Sequence, residues 1–249
     1  MTDKIHPIDL PNLISFWDFQ EQAGELRVAK GPHPYALTEQ ASPMMRVDEG
    51  VFSDHAMRID YRQWLSVSKF DAPALDIPGE EAQVSVVAWL KRGLKPEGEC
   101  EFVAGLWDET HKLRQYGMFL NLGIWDSADQ VCGHVSKIGG PTPGYKYCMD
   151  ASIGQTPVTR DQWCCVGFTY DSQQAMSYYN GKLDARQDRN PYPYPGGLFD
   201  GGERPANFTV GSVTRSGQMG NFFVGTIGGL AVFNRALTAH EMNGLAQWV

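Results

Sequence analysis

Between Gly105 and Tyr147 the chain concentrates side chains that could bind or transform a ligand, in the runs GLWDETHKLRQYGMFLNLGIW and GHVSKIGGPTPGYKY. Two-residue alternation sorts some of them onto faces of a sheet. Met118, Leu120, Leu122 and Ile124 mark one face of a strand as core, so Phe119, Asn121 and Trp125 point the other way. On the next strand Val131 and Val135 share the core face, which leaves His134 and Ser136 opposite. Gly133 has no side chain, so the core side is expected to be thinly packed there. If the outer faces adjoin, Phe119, Asn121 and His134 line one groove. Such a set suits a sugar: an aromatic ring for the apolar ring face, amide and imidazole for the hydroxyls. Trp107, Asp108, Glu109, Arg114, Gln115, Lys137 and Lys146 are the further binding candidates around it. Tyr145 and Tyr147 return after a Gly/Pro-rich loop and are expected on a paired strand, beside His134. His6, His33, His55 and His240 have no comparable set of partners.

Positioning these groups takes a succession of strands. Asn12 to Phe19 is rich in β-formers, and Met45 to Val51, Ala56 to Ile59 and Trp64 to Val67 follow as short strands. Val84 to Lys91 is a nearly continuous apolar run, expected of a strand buried on both faces. Glu101 to Leu106 comes after a turn at Pro96-Glu97-Gly98. Tyr116 to Trp125 and Val131 to Lys137 read as paired strands, and Ile138 to Tyr145 as a loop. Gln187 to Arg204, with NPYPYPGG at its centre, is the longest irregular stretch. Asn207 to Ser212 and Asn221 to Phe233 complete the strands. Ala236 to Trp248 reads as a helix, capped by Thr238 with Glu241 three residues on.

The stretch VTRDQWCCVGFTYDSQQAMSYYNGK, Val158 to Lys182, has the strongest local signature. Trp163 to Tyr170 alternates, Asp171 starts a turn, Ala175 to Tyr179 returns, and Asn180-Gly181 is a hairpin signal because both residues tolerate positive φ. This pattern resembles the central hairpin of laminin-G-like domains, which belong to the concanavalin A-like lectin/glucanase jelly rolls. NLISFWDF at Asn12 to Phe19 resembles their opening strand. AQVSVVAWLK at Ala82 to Lys91 resembles their Trp-bearing strand. GTIGGLAVFNRALTAHEMNGL at Gly225 to Leu245 resembles the closing strand and terminal helix. The resemblance spans nearly the whole chain. It implies an all-β fold, a two-sheet antiparallel jelly-roll β-sandwich with a short C-terminal helix, and one domain over residues 1–249. Because such folds host lectins, hydrolases, lyases and adhesion modules, it says less about function.

Two catalytic schemes of related jelly rolls can be set against the residues. Laminarinase-type glycosidases carry Glu-x-Asp-x-x-Glu on one strand, with carboxyls about 5–5.5 Å apart for retention. Nothing here matches, and Asp108 and Glu109 are adjacent, so on a strand they would face opposite ways. Lyases acting on uronic-acid polymers need a base, an acid, and groups that neutralise the substrate carboxylate. By resemblance to alginate-lyase-like jelly rolls, His134 is the candidate base and Tyr145 or Tyr147 the acid. Lys146, Lys137, Arg114, Gln115 and Asn121 are the candidate neutralisers. The Gln-x-His of those lyases is missing, since Cys132 and Gly133 precede His134. Calcium sites of related domains use acids after Gly-x-Ile in the closing strand. Here Gly228 and Gly229 stand in their place, so no cofactor is expected; a calcium site at Asp18 or Asp171 is the remaining option.

Composition bounds the rest. A chain of 249 residues with 42% hydrophobic and 12% aromatic residues can build a large core, and 27 Gly with 15 Pro suit many tight turns. A net charge of −8 argues against nucleic acid. No apolar run is long enough to cross a bilayer. The N-terminus MTDKIHPIDLP shows no signal peptide, which points to a cytoplasmic protein with reduced thiols at its five cysteines. The expected function is carbohydrate recognition on the concave sheet face. The alternatives are a uronate-polymer lyase and a protein-interaction module.

Overall fold

The computed structural model describes residues 3–95 and 98–249. The turn expected at Pro96 and Glu97 lies outside them. Two antiparallel sheets face each other. The first runs, in spatial order, Lys182–Leu183, Gln174–Tyr179, Trp163–Tyr170, Val84–Arg92, Gly225–Phe233, Ala56–Ile59 and Arg46–Val47, and Leu13–Trp17 also pairs with Gly225–Phe233. The second runs Ala151–Pro157, Gln130–Val135, Leu113–Asn121, Glu101–Asp108, Phe208–Val210, Trp64–Val67, Ala36–Gln40 and Arg27–Val28. This is the jelly-roll sandwich.

Alternation explains where the core sits. Val84, Val86, Ala88 and Leu90 from the first sheet meet Tyr116, Met118, Leu120, Val131 and Val135 from the second. The odd-numbered Val87 and Trp89 point outward, yet they too are buried, under Met242 and Leu245 of the helix Ala239–Ala246. The Trp89 indole N–H donates to the Leu245 carbonyl at 2.9 Å. Covering on both faces is why this strand reads as one apolar run. Thr238 caps the helix and Glu241 closes the capping box. The helix is shorter than expected because residues 236–238 lead into the cap. In the hairpin, Asn180 and Gly181 have φ of 47° and 74°, the mirror-image turn that the pair favours.

Three expectations need correction. The strand Leu113–Asn121 stops earlier than its alternation suggested, because Gly123, Trp125 and Asp126 are left-handed (φ 63°, 52° and 55°). Leu122 and Ile124 therefore pack on the outer face and not in the core. Tyr145 to Tyr147 form a loop, not a strand. Pro141 and Pro143 cannot donate to a ladder, and the segment closes on itself through Tyr145 N–H to Thr142 O and Thr142 N–H to Tyr147 O. The strand beside His134 is Ala151–Pro157, with Ala151 opposite it. Finally, the core is tight at Gly133. A Cβ there would lie 2.6 Å from Phe168 Cβ of the facing sheet, so glycine permits a close approach of the two sheets.

Candidate functional site

Phe102, Trp107, Phe119, Cys132, Cys148 and Ile153 form an apolar cluster on the outer face of the second sheet. Three of its members, Trp107, Phe119 and Cys148, line a pocket of about 290 Å³. Gly117 makes the floor possible: a Cβ there would sit 2.9 Å from the Phe102 ring and 3.5 Å from the Trp107 ring. His134, directly opposite Gly117 in the ladder, packs its ring against Trp107 and Phe119, with ring centroids 4.9 Å and 5.2 Å away.

A β-bulge places the buried cation of the pocket, Arg114. Leu106 pairs with Tyr116, but Trp107 pairs with Arg114, so Gln115 is the extra residue. A bulge resets which face the following side chains occupy. Arg114 thereby joins Trp107 at the pocket, its guanidinium carbon 6.0 Å from the indole centroid. Gln115 is used elsewhere: it donates to Asp76 Oδ1 (2.7 Å) and the Phe199 carbonyl (2.8 Å) and accepts from Ile77 N–H (3.0 Å).

His134 is 4% exposed. Its Nδ1 lies 2.9 Å from the Asp150 carbonyl, an acceptor only, so Nδ1 carries the proton. Burial, helped by the Arg114 charge and opposed by the Asp150 hydrogen bond, lowers the imidazole pKa to about 4. The ring is therefore neutral at neutral pH, and Nε2 is an acceptor. Burial also pushes the Cys148 thiol up to about 11 and Cys100 upward, so neither is a thiolate nucleophile. All five cysteines are free. Among the described residues that line the pocket, the Trp107 indole Nε1 and the Arg114 Nε are buried donors without an acceptor.

Of the residues singled out from the sequence, Trp107, Glu109, Arg114, Phe119, His134 and Tyr147 line the pocket. The others do not. Asp108 caps a turn, accepting from His111 N–H at 2.9 Å and meeting His111 Nδ1 at 2.8 Å. Asn121 sits where its strand ends, opposite Glu101. Lys137 donates to the Pro195 carbonyl at 2.8 Å. Lys146 lies over the Tyr147 ring, and Tyr145 packs edge-on to Trp125. The sequence reading missed Glu99, Arg215 and Asn221, which also line the pocket. Arg215 ends the first strand of the Val213–Arg215 and Gln218–Gly220 hairpin and Asn221 follows its second, and the Ser216-Gly217 turn is the local signal of that hairpin. Asn221 accepts from Arg215 Nη1 at 2.6 Å and approaches Glu109 at 3.5 Å. The two aspartates considered for calcium are engaged. Asp18 pairs with Lys30, and Asp171 accepts from Gln173 and Gln174 N–H at 3.0 and 2.8 Å. Among the described residues no group of three or more His, Cys, Asp or Glu could hold a metal ion.

The family model described as the concanavalin A-like lectin/glucanases superfamily, of laminin-G type, matches residues 68–243. The chain belongs to this superfamily. The matched span contains every lining residue of the pocket. A search of curated proteins finds no match. Among solved structures, the superfamily fold here is similar to domain 4 of AbnA, an extracellular arabinanase from Geobacillus stearothermophilus solved with arabinotriose. The TM-score is 0.61 at 17% identity, covering 95% of this chain and 98% of that one. It is similar too to the binding domain of Paraclostridial Mosquitocidal Protein 1 (TM-score 0.61, 12% identity, 94% and 52% covered). Trypanosoma rangeli sialidase, solved with 2,3-difluorosialic acid, gives a TM-score of 0.60 at 14% identity, with 99% of this chain but 36% of the sialidase covered. At these identities the likeness is one of fold.

Proposed function

We propose that the chain recognises carbohydrate through the pocket on the outer face of its second sheet. One observation carries this reading: Trp107 and Phe119 give an aromatic floor, while the indole Nε1 of Trp107 is a buried donor without an acceptor. A buried unpaired donor is costly, and a ligand hydroxyl would satisfy it while a sugar ring covers the aromatic floor. His134 Nε2 supplies a neutral acceptor beside it. Similarity to an arabinanase domain solved with arabinotriose and to a sialidase solved with a sialic-acid derivative supports the ligand class.

Elimination on a uronic-acid polymer is the second reading. His134 and Tyr147 share one pocket, which favours it. An imidazole held near pKa 4 is a weak base at neutral pH, which favours binding over turnover.

A glycan panel, screened for binding and for the ultraviolet absorbance of an unsaturated elimination product, tests both. Wild type should bind a subset of glycans without producing absorbance. Trp107→Phe keeps a ring and removes the donor; its affinity should fall by about 1–3 kcal/mol at temperatures where the variant stays folded. Unchanged affinity in Trp107→Phe would remove Trp107 Nε1 from the account, and product absorbance would establish the lyase.

A further inference from the structure

The second sheet carries another aromatic surface that the pocket over Trp107 does not use. Leu65 and Val67 of the strand Trp64–Val67 point into the core, so alternation turns Trp64 outward, to the face that bears Trp107. The Trp64 indole is half-buried, its centroid 6.2 Å from that of Phe222, and Tyr61 meets Phe222 edge-on at 5.4 Å. Trp64, Tyr61, Phe222, Arg62 and Gln218 line a groove of about 770 Å³. Glu99 and Arg215 line this groove and the pocket alike, so the two adjoin.

Arg215 stands at the junction, and the fold fixes it there. Gly220 leaves room for its stem: a Cβ at that position would lie 2.9 Å from Arg215 Cδ. Its Nη1 donates to Asn221 Oδ1 at 2.6 Å, and Glu109 lies 4.0 Å from its Nε. The hairpin that carries it is tied down on both sides. Glu109 N–H donates to the Thr214 carbonyl at 2.8 Å, and Gly217 N–H to Thr110 Oγ1 at 3.0 Å. A donor held in place before binding loses little entropy on binding. Glu109 offsets its charge, so the junction suits a neutral hydroxyl.

We infer that pocket and groove form one cleft for an oligosaccharide, with one sugar residue over Trp107, a linkage beside Arg215 and a later residue over Trp64. This rests on the glycan reading above and names the length of glycan recognised. The pocket, about 290 Å³, is at the small end of ligand sites, whereas the groove has room for more than one ring. Through Phe208–Val210, Leu106 lines up with Val67 and Ala104 with Leu65. Trp107 and Trp64 are thus offset both across and along the strands, on the order of 15 Å by strand spacing and rise. A single sugar ring cannot touch both, and an extended glycan can. Each indole offers an apolar face to one ring.

The test is calorimetric titration of the whole chain with arabino-, xylo-, cello- and laminari-oligosaccharides of one to six residues. In at least one series affinity should rise roughly tenfold or more between short and long members. In a nitrogen-15 correlation spectrum the Trp64 indole resonance should move with long members and stay still with short ones. Trp64→Ala should keep wild-type affinity for short members and lose the gain with length. Trp64→Phe, which retains a ring, should keep part of that gain, and it decides the matter with the wild-type spectrum if Trp64→Ala fails to fold. Affinity independent of length, with Trp107→Phe still weakening it, would overturn the extended cleft and leave the glycan reading standing. A gain with length that persists in Trp64→Ala, or a Trp64 resonance unmoved by long members, would overturn the assignment of the groove. Equal loss for short and long members in Trp64→Ala would make Trp64 structural and overturn its contact with the glycan. Absence of binding in every series would overturn the glycan reading itself.

Discussion

Arg92→Met should lose about 3–5 kcal/mol of unfolding free energy, the usual cost of leaving one member of a buried ion pair alone. Arg92, on the first sheet, is fully buried and donates to both oxygens of Glu101, on the second, at 2.7 Å each. It also reaches Asp129 at 2.6 Å and the Val158 carbonyl at 3.4 Å. The guanidinium thus ties the two sheets together at one end of the sandwich. The Glu101 side chain is 2% exposed, so without Arg92 its charge has neither water nor partner. The double variant Arg92→Met/Glu101→Leu should recover much of the loss, because the uncompensated charge disappears with its carboxylate. Denaturant unfolding reads both. A single-variant loss below about 1 kcal/mol, the level of an exposed pair, would show that Glu101 is hydrated and that the sheets are held by packing alone.

Stability should fall in acid through His134. Unfolded, the imidazole titrates near its ordinary value of about 6.5. Folded, burial holds it at about 4 against the opposing Asp150 hydrogen bond, with a smaller contribution from the Arg114 charge. Between those values the unfolded chain binds more protons, so stability rises with pH. The contribution is complete above the unfolded pKa and is lost as pH falls toward the folded one, by about 3 kcal/mol over the window. Other groups titrate in the same range, so the quantity to follow is the difference between wild type and His134→Gln. That difference should narrow by about 3 kcal/mol in going from about pH 7 to about pH 4. A difference independent of pH would mean that the ring is hydrated and its pKa ordinary.

Much of the fold was legible because it is written in short-range patterns. Alternation in Val131–Val135, the Asn180-Gly181 turn and the Thr238–Glu241 capping box each report on a few neighbouring residues, and each appears as read. Alternation also placed His134 and Phe119 on the outer face. What stayed hidden depends on partners distant in sequence. No local signal shows that Gln115 is a bulge residue, because the bulge exists only against Leu106 and Trp107. Arg114 and Gln115 therefore looked equivalent, although one lines the pocket and the other anchors loops. Tyr145 to Tyr147 are expected to return on a paired strand after the Gly/Pro-rich loop, but Pro141 and Pro143 and the contacts to Thr142 fold the segment on itself. Arg215 and Asn221 lie about a hundred residues beyond Trp107 and join it only because their hairpin packs against the strand Glu101–Asp108. Tightness at Gly133 likewise comes from Phe168 in the other sheet.

The central claim is that a glycan binds over Trp107. The chain has seven tryptophans, and their indole N–H resonances report separately in a nitrogen-15 correlation spectrum. Trp17 and Trp89 are buried with their N–H groups bonded to the Tyr35 and Leu245 carbonyls. Trp163 and Trp248 belong to the first-sheet side of the molecule. Titration with a glycan that binds should shift the Trp107 indole resonance most, with a smaller change at Trp125, which packs beside the same cluster. A glycan that saturates the protein while Trp107 stays still and Trp163 or Trp248 moves would place the site on the opposite sheet and contradict the account.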